Sequence, residues 1–191
     1  MGREFELKFR ASVRQMEAIR EAFDGFREIS MESTYYDTPE RALRPLHWSL
    51  RQRIENGVSV CTLKTPCEEG GRNEWEAKSP DIQSGISELC RIGAPEELST
   101  LVAGGLEAVC SARFIRQAAL IELEDCTLEL ALDRGILRGK ARIELLGEVE
   151  LELKSGSEDA AIAFARKLMQ TYGLRQEFAS KYARALALAG E

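Results

Sequence analysis

Charged and apolar residues alternate with a period of two along most of this chain, which predicts an α+β protein, mainly β. The expected architecture is an eight-stranded closed antiparallel β-barrel, a tunnel with a charged lumen and helices packed outside. Three observations carry this. Both signs of charge recur on one face of segment after segment, the opposite faces carry Leu, Val, Phe and Trp, and the gaps hold stretches with helix caps.

Taken in order, residues 4–10 put Glu4, Glu6, Lys8 and Arg10 on one face and Phe5, Leu7 and Phe9 on the other. Ser12 with Gln15 forms a capping box ahead of a helix from 13 to about 24, closed near Gly25. His47, Ser49, Arg51, Arg53 and Glu55 then share a face up to the hairpin signal Asn56-Gly57, beyond which Thr62 and Lys64 oppose Cys61 and Leu63. Arg72, Glu74, Glu76 and Lys78 alternate with Asn73, Trp75 and Ala77, and Pro95 with Glu96 and Glu97 opens a short helix. Arg116 lies in a strand from about 113 to 124, and Thr127, Glu129, Ala131 and Asp133 oppose Leu128, Leu130 and Leu132. Gly135 to Lys140 is one residue short of a phosphate-binding loop and is followed by Ala141, which has no hydroxyl, so it is read as a hairpin turn. Arg142 and Glu144 oppose Ile143 and Leu145, and Glu148, Glu150, Glu152 and Lys154 oppose Val149, Leu151 and Leu153. Ser157, Glu158 and Asp159 start a helix that stops at Gly173, and 178–188 reads as the last helix. No repeat or linker interrupts the pattern, so residues 1–191 are taken as a single domain.

Composition narrows the function. A formal charge of −6 argues against a general nucleic-acid surface. No apolar run is long enough to span a bilayer, and the first residues are charged, so a cytoplasmic protein without membrane contact is expected. Five cysteines without a CxxC spacing read as reduced thiols, and a single histidine, His47, gives no support to a His-based centre.

Charge on one strand usually faces solvent, but both signs on nearly every strand, backed by apolar faces able to seat helices, point to a polar lumen. Glu4, Glu6, Glu148, Glu150 and Glu152 offer hard oxygen ligands at i, i+2 spacing. Lys8, Arg51, Arg53, Lys64, Arg72, Arg116 and Arg142 offer donors for phosphate oxygens. A polyphosphate bridged by Mg²⁺ or Mn²⁺ suits both sets.

These residues resemble the CYTH superfamily, the triphosphate tunnel metalloenzymes. Glu4-Phe5-Glu6-Leu7-Lys8 looks like its ExExK signature, and the likeness continues through Tyr35 to Pro39, Leu50 to Arg53, Thr62 to Lys64, Arg72 to Glu76, Ala131 to Gly135, Glu148 to Lys154 and Ser180-Lys181-Tyr182. The chain is most similar to the tunnel domain of bacterial inorganic triphosphatases, which often continue into a histidine-rich helical CHAD domain. The resemblance implies hydrolysis of tripolyphosphate to pyrophosphate and phosphate, with Lys181 added to the phosphate ligands. One ion on Glu6, Glu150 and Glu152 would bridge phosphate oxygens. Another near Glu4 and Glu148, the expected catalytic pair, would activate water. Alternatives are an adenylyl cyclase making cyclic AMP, a thiamine or nucleoside triphosphatase, and an idle polyphosphate-binding module. A monomer or homodimer is expected, with a small-molecule triphosphate as partner.

Overall fold

The computed structural model describes residues 5–67 and 71–190. Its strands are β1 (Glu6–Arg10), β2 (Arg27–Asp37), β3 (Ser49–Glu55), β4 (Val58–Pro66), β5 (Arg72–Lys78), β6 (Glu107–Glu122), β7 (Cys126–Arg138), β8 (Ile143–Gly156) and the short β9 (Arg175–Gln176). The helices are α1 (Val13–Ala22), α2 (Ile82–Arg91), α3 (Glu97–Leu101), α4 (Glu158–Tyr172) and α5 (Lys181–Ala187).

All strand pairs are antiparallel in one sheet, ordered β5-β4-β3-β2-β6-β7-β8-β1-β9. The mainly-β α+β class holds, but the closed eight-stranded barrel is corrected. Nine strands form the sheet, and no ladder joins its edges β5 and β9 among the described residues. Curvature still brings the two ends together around one space: Arg72, Glu74 and Glu76 of β5 and Glu6 and Lys8 of β1 line the same cavity of about 1120 Å³.

Local signals fix several elements. The Ser12–Gln15 capping box is formed, and Gly173 ends α4 in the left-handed conformation at φ 64°. Asn56 and Gly57 both have positive φ, 47° and 85°, as a two-residue hairpin turn between right-twisted strands requires. The hairpin expected at Gly135 instead lies beyond Arg138, because Gly135 is a mid-strand residue pressed on β6. The segments around 142–145 and 148–154 are one continuous strand, β8, which begins at Ile143.

Two elements escape the alternation pattern. Strand β2 reverses it: Ile29, Met31, Ser33 and Tyr35 face the cavity while Glu28 and Glu32 lie outside. Helix α2 contains Gly85, where a Cβ would stand 2.4 Å from that of Cys61, so the residue that weakens the helix is the one that lets it lie on the sheet.

The apolar residues form separate clusters. Helices α1 and α4 cover the outer faces of β1, β7 and β8 through Met16, Ile19, Leu130, Val149, Leu151, Ala165 and Leu168. Helices α2 and α3 cover β3 and β4 through Leu50, Leu63, Leu89 and Leu98. The expectation that every helix packs outside fails at α5. It sits on the concave face with Met31, Tyr35, Phe114, Leu137, Leu146 and Ala185, filling one end of the curl. The concave residues there are apolar, so the sheet offers this helix a dry seat.

Gly135 makes the close packing of β6 on β7 testable. A Cβ there would stand 2.1 Å from the Arg113 carbonyl oxygen. Gly135→Ala is expected to destabilise the fold by about 1–3 kcal/mol, read as a lower urea midpoint at unchanged slope.

Candidate active site

Strand parity carries the charges inward. Glu6, Lys8, Arg51, Arg53, Lys64, Arg72, Glu74, Arg116, Glu150 and Glu152 all line the cavity, joined by Lys181 from the first turn of α5. Arg142 does not. It is exposed in the hairpin before β8 and donates to the Ala187 carbonyl at 3.4 Å, meeting the end of α5, the helix that fills that end of the curl, instead of the cavity. Glu4 lies outside the described residues.

On one wall, Asp133, Glu148 and Glu150 converge, with one oxygen of each within 4.8 Å of the others. Asp133 and Glu148 have no solvent exposure at all. Unpaired charge so placed would be untenable, and the network supplies partners. The Lys181 ammonium lies 2.8 Å from Asp133 Oδ2 and 2.7 Å from Glu150 Oε1, and also donates to Glu148 Oε1. Arg116 makes a forked contact with Asp133 at 2.8 and 2.7 Å and a further bond to Glu150. Both cations lie over the Phe114 ring, at 5.3 and 5.8 Å from its centroid.

These surroundings split the two glutamates. Burial pushes Glu148 up to about 7 against the pull of Lys181, with the neighbouring Glu150 charge adding to the rise. Burial also works to raise Glu150, but Lys181 and Arg116 outweigh it and hold its carboxyl well below the usual range. Lys181, despite burial, is held well above the ordinary lysine value by Asp133, Glu150 and Glu148.

The opposite wall is basic. Arg51 and Lys64 reach Glu74 at 3.9 and 3.1 Å, Arg53 reaches Glu55 at 2.8 Å and Glu76 at 3.0 Å, and Arg72 donates to the His47 carbonyl at 2.7 Å. The Nε atoms of Arg51 and Arg53 are buried without a hydrogen-bond acceptor. Burial and the adjacent Arg51 charge pull the Arg53 guanidinium below its ordinary value. Two crowded cations of this kind gain from an added anion.

Donor chemistry separates two places for a divalent ion. The Asp133–Glu148–Glu150 group already shares Lys181, Arg116 and Arg184, three cations for three acids, so an ion there would have to displace the ammonium. Glu6 and Glu152 stand opposite each other across β1 and β8, and Glu150 follows two residues along on the same face. Among the described residues Lys8 holds Glu6 and Lys154 holds Glu152, each at 2.8 Å, whereas Glu150 stays bonded to Lys181 and Arg116. Carboxylates accessible from the cavity suit a hard cation such as Mg²⁺ or Mn²⁺.

The sequence-based family model described as the CYTH domain matches residues 2–186. The chain belongs to the CYTH domain family. A curated relative, the inorganic triphosphatase of Haemophilus influenzae, is 27% identical over 142 residues, covering 73% of this chain and 40% of that protein. The CYTH chain described here therefore spans less than half of that relative's length. Among solved structures, the PH1819 protein of Pyrococcus horikoshii superposes with a TM-score of 0.64 at 24% identity, over 96% of this chain and 98% of its own. The Hippeastrum protein HpAC1, described as an adenylyl cyclase candidate with a dominant triphosphatase activity, gives a TM-score of 0.66 at 17% identity, over 96% and 95%. Both share the fold of this chain.

Several residues in or behind the cavity wall carry weaker sequence signals. Glu55 and Glu76 share the parity of Arg51 and Arg72 and serve as counter-ions to Arg53. Arg184 is buried at 7% exposure, and its only sequence clue is its position three residues after Lys181 on one helix face.

The raised Glu148 value sets a pH dependence. Its folded pKa lies above the ordinary carboxyl value, so the folded state takes up a proton first, and the stability linked to that proton is lost as pH rises from about 4.5 to about 7. Lys181, shifted upward, contributes fully across this window and loses its share only in strong alkali. Glu148→Gln should therefore flatten the wild-type fall in stability by on the order of 1 kcal/mol per pH unit, measured by urea unfolding between pH 4.5 and 7. Parallel pH profiles for the two proteins would exclude this assignment.

Proposed function

We propose that the protein hydrolyses inorganic triphosphate to pyrophosphate and phosphate in this cavity, with Mg²⁺ or Mn²⁺ as cofactor. The observation that carries the reading is the charge of the lining. Among the described residues nine cationic side chains face seven carboxylates there, an excess of positive charge inside a chain of formal charge −6. A linear polyanion together with a cation matches that divided lining, and the Haemophilus relative is named for this activity.

In this reading Arg51, Arg53, Lys64 and Arg72 grip the phosphate chain from one wall, with Lys8, Arg116 and Lys181 from the other. Glu6, Glu150 and Glu152 would hold the divalent ion. The second ion expected near Glu148 has no place in this reading, because Lys181 and Arg184 occupy both oxygens of that carboxylate. The bound ion supplies charge neutralisation for the transferring phosphoryl group and acidifies a water. Because Glu148 is sealed behind Lys181 and Arg184, the proton acceptor for the attacking water is one of the cavity glutamates, Glu6 or Glu152. Glu148 acts by holding Lys181. The five free cysteines suit a reducing, cytoplasmic setting. No helix of the described residues is long and apolar enough to cross a membrane.

A panel of tripolyphosphate, thiamine triphosphate and ATP with Mg²⁺ or Mn²⁺ tests the substrate. Orthophosphate release fastest from tripolyphosphate, and none in excess chelator, is the expected result. Cyclic AMP from ATP as the main product would replace this reading by the cyclase one.

A second measurement separates grip from chemistry. Glu152→Gln, which leaves the buried network intact, is expected to lower kcat by about a hundredfold or more while tripolyphosphate still binds. Arg53→Ala and Lys64→Ala should raise KM and also slow turnover. Normal turnover in Glu152→Gln would remove that residue from the metal site.

A further inference from the structure

Arg184 lies outside the cavity lining and yet touches the group on which Lys181 depends. Its Nη1 donates to Glu148 Oε2 at 2.8 Å and its Nη2 to Glu144 Oε1 at 2.6 Å, while Lys181 takes the other oxygen of Glu148. The two cations are three residues apart on α5, so one helix face delivers both to a single carboxylate, one from the cavity side and one from behind. Glu148 is wholly buried, and its charge is tolerable only while it is paired. With Arg184 on one oxygen, the other is aimed at the Lys181 ammonium, which Asp133 and Glu150 complete. Glu144 anchors the far side of the guanidinium to the same strand, β8, four residues before Glu148. The helix itself has only seven residues, too few to hold its own orientation.

We infer that Arg184 is a positioning residue: from behind the cavity wall, through Glu148 and Glu144, it fixes the rotation of α5 and so the place of the Lys181 ammonium. A lysine on a flexible stem reaches many points; pinning its helix restricts it to one. The inference takes Lys181 as a phosphate ligand, and to that extent rests on the proposed function, but the position of the ammonium can be measured without substrate.

Reductive methylation with labelled formaldehyde, followed residue by residue in the intact protein, reads that position. Lys181 should be among the slowest lysines in the wild type, several-fold faster in Arg184→Gln, and intermediate in Arg184→Lys. Glu144→Gln, a milder change at a partly exposed residue, should speed it about twofold, and serves if Arg184→Gln does not fold. Unchanged Lys181 labelling in folded Arg184→Gln, or in Glu144→Gln where Arg184→Gln does not fold, overturns the inference.

Turnover adds a double-mutant cycle. Arg184→Gln should lower kcat/KM for tripolyphosphate about tenfold in the wild type and less than twofold in a Lys181→Ala background. Equal losses in both backgrounds would mean that Arg184 supports the fold alone, and would overturn the inference. If the wild type released no phosphate from tripolyphosphate, the functional reading would fall while the labelling result still decided the role of Arg184.

Discussion

Every part of this fold answers to one demand, that ions taken out of bulk water on the concave face must find partners in fixed positions. A carboxylate with no exposure, such as Glu148 or Asp133, is sustained only by cations held at hydrogen-bond distance. Those cations come from β6 and from α5 while the acids stand on β7 and β8, so the network ties β6, β7, β8 and α5 into one unit. Removing one member leaves the others charged and unpaired, which makes the cluster intolerant of single changes and rigid in consequence.

The apolar residues make that arrangement affordable. Outside, α1 and α4 on one flank and α2 and α3 on the other bury the Leu, Val and Ile faces of the strands, so the sheet can devote its inner face to charge. Inside, α5 reverses the pattern at one end: Tyr182 stacks at 5.1 Å on Tyr35, and Ala185 packs among Phe114, Leu137 and Leu146. The cavity is thus polar along its length and dry at its end, and the boundary falls at Lys181 and Arg184.

A preorganised site differs from a merely charged one in having its dipoles and ions fixed before the ligand arrives. Glu74, Glu76 and Glu55 hold the basic wall extended into the cavity, and under the proposed function a phosphate chain would exchange with those carboxylates without moving the strands. The buried Nε atoms of Arg51 and Arg53 keep donor capacity in reserve on the same wall.

Period-two alternation, a local property, was enough to place Glu6, Lys8, Arg51, Arg53, Lys64, Arg72, Arg116, Glu150 and Glu152 on one inner face, because a strand's side chains can point only two ways. Caps and turns were legible for the same reason: Ser12 with Gln15, Asn56-Gly57 and Gly173 each act within a few residues. Arg142 lies apart from the cavity because α5 fills that end of the curl, and β2 hid because its inner face is apolar to receive that same helix from far along the chain. Whether the sheet closes, which end α5 fills, and that Lys181 and Arg184 share Glu148 were decided only by the tertiary structure. The sequence determined which way each side chain faces. Which charges meet depends on curvature and on contacts between distant segments, and no local pattern encodes those.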